Sequence, residues 1–173
     1  MGSNPNNQWP KGAILARLGS EDKFIRRRAL QEISANVELL GDEKNDVILI
    51  LVNMANSDSI GSLREKAALL LSQFVTEGPL VDLDSIAKLA TTRMEVDPVE
   101  ETRLAMAQLL QASIPQMDEK QALSHLDAVT TGLKSGLTDS YPEVILQVPR
   151  HCDEDVVLSE FFLFFVLVLL HSR

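Results

Sequence analysis

A turn followed by a helix start recurs at residues 20–26, 58–64, 97–103 and 139–144, and this recurrence limits the fold more than any other feature of the chain. Ala29, Ala67 and Ala105 lie one turn into three of these helices, with a spacing of 38 residues both times. A period of this size predicts stacked two-helix units, none of which buries its apolar side alone. Stacking lends each unit the interior it lacks and leaves a long outer surface free. The pattern describes a scaffold and not a reaction, so binding of other proteins is the default function.

The first unit is half a repeat. Pro10 suits a first helical position, Ile14, Leu15 and Leu18 form one apolar side, and Gly19 ends the helix. Ser20 is the expected N-cap of the next helix, where Phe24, Ile25, Ala29, Leu30, Ile33 and Val37 follow at helical spacing until Gly41. A second pair begins near Asp42 with Val47, Ile48, Ile50, Leu51 and Met54, breaks at residues 56–59, and resumes through Leu63, Ala67, Leu70, Leu71, Phe74 and Val75 to Gly78 and Pro79.

A third pair is capped by Asp82 or Asp84 and turns at Asp97 and Pro98, with Pro98 expected at the first helical position and Glu100 and Glu101 against the positive helix end. A fourth runs through Leu123, Leu126, Val129 and Leu133, turns before Pro142, and stops near Leu146. The expectation is an all-α solenoid of the HEAT or armadillo kind over residues 10–147, about three and a half repeats, behind a disordered leader at residues 1–9. Aromatic residues make up only 5% of the chain, and the apolar 45% is mostly Leu, Ala, Ile and Val, which suits close-packed helices.

Residues 148–173 differ in kind: Pro149 breaks the pattern and four of the six Phe residues follow it. The uninterrupted apolar run, residues 161–170, is ten residues long, whereas a membrane helix needs about 20. An atypical apolar tail on a truncated form of a longer protein is the expectation, with an alternative or mispredicted terminus as its origin. Met1 to Pro10 carries no secretory signal, and Asn6 stands where a myristoylation signal wants Ser or Thr.

Charge and residue usage exclude several functions. A net charge of −9 leaves no basic surface for nucleic acid. A single cysteine, Cys152, forms no internal disulfide and fits a reducing compartment such as the cytoplasm. The three histidines, His125, His151 and His171, are scattered, and no nucleophile, base and orienting group come together. His125 reads as a partly exposed structural histidine. His151, Cys152 and Asp153 lack the second pair of ligands that a zinc site requires.

The eight glycines fall at helix ends and turns and build no phosphate-binding loop. Asp82 with Asp84, and Glu100 with Glu101, read as helix-start charges and not as catalytic carboxylate pairs. No enzyme activity, cofactor, metal or small-molecule substrate is expected. Arg26, Arg27 and Arg28 form the one basic cluster, with side chains pointing about 100° apart on a helix. They are either a solvated face near Glu21 or Glu32, or the candidate protein-contact residues of the chain.

Three stretches are more particular than a general repeat pattern: residues 100–110, EETRLAMAQLL; residues 123–127, LSHLD; and residues 133–139, LKSGLTD. Together with Arg26-Arg27-Arg28-Ala29-Leu30, they resemble the N-terminal repeats of the dynein axonemal assembly factor 5 family of HEAT-repeat proteins. The resemblance implies a non-catalytic cytoplasmic scaffold for preassembly of axonemal dynein arms, working on dynein chains beside chaperones in cells with motile cilia. The residues alone also allow another HEAT-type adaptor, such as a phosphatase scaffold or a transport adaptor, or a membrane-associated regulator that uses residues 161–170.

Overall fold

The computed structural model describes residues 12–77, 82–137 and 139–141, which are helical almost throughout, with no strand among them. The leader at residues 1–9, the helix stop at Gly78 and Pro79, the end of the fourth unit from Pro142 and the whole of residues 148–173 lie outside the described residues. So do His151, Cys152, Asp153 and His171.

Among the described residues seven α-helices follow in chain order: α1 (Ala13–Leu18), α2 (Lys23–Ala35), α3 (Lys44–Ser57), α4 (Gly61–Glu77), α5 (Leu83–Val96), α6 (Glu100–Ser113) and α7 (Glu119–Leu137). Short 3-10 segments, Val37–Glu43 and Ile114–Gln116, link α2 to α3 and α6 to α7. Consecutive helices pair as hairpins, α1 with α2, α3 with α4 and α5 with α6, and the pairs stack. The odd-numbered helices thereby form one layer, α1 to α3 to α5 to α7, and the even-numbered helices α2, α4 and α6 form the other. This is an all-α repeat solenoid.

The interior runs between the layers as one continuous cluster through Ile14, Ile33, Leu51, Phe74, Met94 and Leu109. Burying each such side chain removes about 1.5–3 kcal/mol of unfavourable exposure. Phe74 at the centre is fully buried, and the Lys44 ammonium lies 5.2 Å from its ring centroid.

Several local expectations change for physical reasons. The cap of α2 is Asp22, whose carboxylate accepts from the Phe24 N–H, while the Ser20 hydroxyl accepts from the Asp22 N–H one step earlier. Helix α2 ends at Ala35 and not at Gly41. Gly41 instead takes φ +49° within the following 3-10 segment, a conformation that lets the chain kink toward α3. Pro98 precedes α6 by two positions, and Val99 occupies the cap. Of the two expected candidates, Asp82 and not Asp84 caps α5, accepting from the Ser85 N–H.

Phe24 and Ile25 are 65% and 42% exposed and do not belong to the core. Among the described residues no earlier helix of the even layer packs against Ile25, whereas its counterparts in α4 and α6, Leu63 and Thr102, are fully buried between neighbours; Phe24 corresponds to the half-buried Ser62 and the exposed Glu101.

Candidate protein-interaction surface

One arginine near the start of each even-numbered helix ties its repeat to the next. Arg26 donates from Nε and Nη2 to the Asp58 carboxylate at 2.8 and 3.0 Å. Arg64 donates in the same way to Asp97 at 2.8 and 2.7 Å, and Arg103 to Asp139 at 2.6 and 2.8 Å. These paired donations match the flat guanidinium to both carboxylate oxygens.

The remaining Nη1 of each arginine turns back to a carbonyl of its own repeat, Ser20, Asp58 or Asp97, at 2.8, 2.7 and 2.9 Å. Each aspartate also accepts from the N–H two residues on, from Ile60, Val99 and Tyr141. The turns that the sequence shows as a recurring motif are therefore joined into a ladder along one edge of the stack.

The middle rung is the most enclosed, with the Arg64 side chain 8% exposed and the Asp97 side chain 0%. Burial alone would raise the Asp97 pKa. The Arg64 hydrogen bonds, the Val99 N–H and the nearby Arg93 outweigh it and hold the carboxyl below its ordinary value. At Asp139 the Arg103 hydrogen bonds are the leading influence and likewise lower the pKa, while Arg64 and Arg103 are both raised by their aspartates.

The ladder corrects the repeat register. Arg26, Arg64 and Arg103 are spaced by 38 and then 39 residues, so Met106, and not Ala105, is the structural counterpart of Ala29 and Ala67.

The three consecutive arginines occupy three environments. Arg26 is the first ladder arginine, with its side chain 13% exposed. Arg27 donates to the Ser62 hydroxyl across α2 and α4, and its Nε is buried with no partner. Arg28 is 79% exposed and bridges Glu32 at 3.1 Å. Arg17 reaches the same Glu32 at 2.7 Å. Burial pushes the Glu32 carboxyl up, and the two arginines more than reverse this. Glu32 stands where Leu70 and Leu109 are buried in the later repeats, and its charge is met there by Arg17 and Arg28.

His125 is more enclosed than expected, at 6% exposure. Its Nε2 lies 2.8 Å from the Asp84 carboxylate, linking α7 to α5. Asp84 thus holds a neighbouring helix, while Asp82 alone caps its own. Among the described residues no three His, Cys, Asp or Glu side chains gather as a metal site, and no helix is long and apolar enough to cross a membrane.

A family model described as dynein axonemal assembly factor 5-like, TPR repeats, matches residues 17–159. The chain belongs to this family. The matched span contains every rung of the ladder, from Arg26 to Asp139. The 38- and 39-residue spacings exceed the about 34 residues of a TPR unit and approach the about 40–47 of HEAT and armadillo units, all of them helical repeats. No curated protein and no solved structure gives a significant match.

The Arg–Asp pairs were present in the sequence as arginines six residues after Asp58 and Asp97. Their partners, 32 to 36 residues further on, become visible only when the hairpins are stacked.

Proposed function

We propose that this chain is a non-catalytic protein-interaction scaffold acting in the cytoplasmic preassembly of axonemal dynein arms for motile cilia. The observation that carries this reading is the family match across residues 17–159. It is supported by the architecture, in which the buried polar groups that stand out, the ladder ion pairs and the His125–Asp84 contact, are spent on joining repeats. A stack of this kind offers long ridges to other proteins and works by holding them.

The partners on this reading are dynein chains and the chaperones that fold them. Arg28, 79% exposed and bridged to Glu32, is the member of the basic cluster best placed to meet an acidic partner. The experiment is affinity purification of the tagged full chain from ciliated cells with quantitative mass spectrometry. Enrichment of dynein heavy or intermediate chains together with chaperones is expected. Recovery of neither, or of phosphatase subunits or transport cargo in their place, would overturn the reading.

A further inference from the structure

The corner where α1 begins, α2 ends and α3 begins is less tightly closed than its counterparts. Counting from the ladder arginines, Val37 corresponds to Val75 and Ile114, which are 0% and 6% exposed in the later repeats, whereas Val37 is half-buried. Val37, Glu38, Gly41 and Lys44 line a cavity of about 430 Å³ here, with Glu38 and Gly41 exposed at its mouth. A Cβ at Gly41 would meet nothing within 4 Å. The Lys44 ammonium, which lies against the Phe74 ring, joins the wall of the cavity to the core.

The chain enters α1 at the same corner. The Gly12 N–H donates to the carboxylate of Glu43, the residue next to Lys44. Gly12 takes φ +75°, a left-handed conformation open to glycine, and so turns the chain into α1. Trp9, the one tryptophan of the protein, stands three residues before this anchor, within about 10 Å of it along an extended chain. Of all the segments that could reach the cavity, residues 1–11 are the ones the Gly12–Glu43 hydrogen bond ties to its rim.

We propose that the Trp9 indole docks in this cavity and closes the first unit of the stack. The inference goes beyond the scaffold reading and holds whichever proteins the scaffold serves. The cavity offers what an indole takes: the Val37 methyl groups for the ring, the Lys44 cation for its face, and the Glu38 carboxylate for its single N–H donor. Pockets that hold small molecules start at about 300 Å³, so one indole fits. Charge agrees as well, because the segment Val37–Glu43 carries Glu38, Asp42 and Glu43 and no basic residue, while residues 1–11 carry Lys11 and no acidic one. Pro10 disfavours helical backbone at Trp9, which keeps the indole from being held on α1 itself. The short tether through Gly12 makes the docking intramolecular, at an effective concentration of about millimolar, so a dilute aromatic segment of another molecule competes poorly for the site.

Because Trp9 is the one tryptophan, indole fluorescence of the purified full chain reads its surroundings alone. The test compares wild type with Val37→Gln, with Glu38→Lys at an exposed position that bears little on folding, and with Glu95→Lys on α5 as the control, circular dichroism in urea verifying that each folds. In folded wild type the emission maximum should lie to the blue of the urea-unfolded chain, with weaker acrylamide quenching, at every protein concentration. Loss of the blue shift in either folded cavity variant, with Glu95→Lys unchanged, is the supporting result. Unfolded-like emission in folded wild type, or a blue shift kept in both cavity variants, would overturn the proposal. So would a blue shift that disappears on dilution together with a fall in particle mass, since the indole would then sit in a second copy.

Discussion

The enclosed rung between Arg64 and Asp97 gives the sharpest test of what holds the repeats together. Asp97→Ala removes two charge-assisted hydrogen bonds of 2.8 and 2.7 Å and leaves the Arg64 guanidinium almost wholly enclosed with no carboxylate to meet it. It also takes away the acceptor for the Val99 N–H at 3.0 Å. Removing one partner of a buried pair costs about 3–5 kcal/mol, mostly the penalty of the charge left behind. At this chain length the thermal midpoint should fall by about 6–20 °C.

Chemical denaturation of wild type, Asp97→Ala, Arg64→Met and the double variant forms a cycle. The double variant should be more stable than the sum of the singles predicts, by about 1–3 kcal/mol, because neither charge is then stranded. Arg28→Ala, which breaks an exposed contact one helical turn away from its partner, should cost under about 0.5 kcal/mol. A loss below about 1 kcal/mol in Asp97→Ala, or strict additivity in the cycle, would refute the claim that this pair joins the second repeat to the third.

Gly61→Ala would put a Cβ 2.6 Å from the Val99 Cγ2. It should cost about 1–3 kcal/mol, with most of that returned by Val99→Ala in the same background when urea midpoints are compared. Phe74→Ala, at the centre of the core, should cost about 3–5 kcal/mol by the same assay. Because the folded-state pKa values of Asp97 and Asp139 are depressed, their stabilisation is fully present above the ordinary aspartate value of about 4 and is lost as pH falls through the lower folded values. Urea midpoints between neutral and strongly acidic pH should show this loss in wild type and a shallower one in Asp97→Asn/Asp139→Asn; an unchanged acid slope would count against the assignment.

The architecture was legible because helix starts, turns and apolar spacing all repeat together. A cap at Asp82 or Asp84 could be read from position alone, with the Ser85 N–H deciding for Asp82, and Glu100 and Glu101 could be read as first-turn charges. What the pattern could not reveal is which side of a helix meets a neighbour. Phe24 and Ile25 have the right spacing for a core face, yet Phe24 is on the side that Ser62 and Glu101 occupy in the later repeats, and no earlier helix of the layer packs on Ile25 among the described residues. Glu32 sits on the corresponding apolar track because Arg17 and Arg28 neutralise it.

The register slipped for a related reason. Alanines at 105 and 107 flank the true counterpart, Met106, so an alignment on small residues slips by one, and the pairing of Arg103 with Asp139 restores it. The equivalent pairing of Arg26 with Asp58 divided the arginine triplet, which a linear reading takes as one cluster.

Each ladder guanidinium grasps two successive turns at once, and so acts as a ruler that sets the pitch of the stack. A pull along the long axis must break these three clamps before adjacent repeats can separate along that edge. The intervals between successive repeats are consequently fixed before any partner arrives, and a protein laid across the stack need not supply the free energy to assemble the surface that meets it.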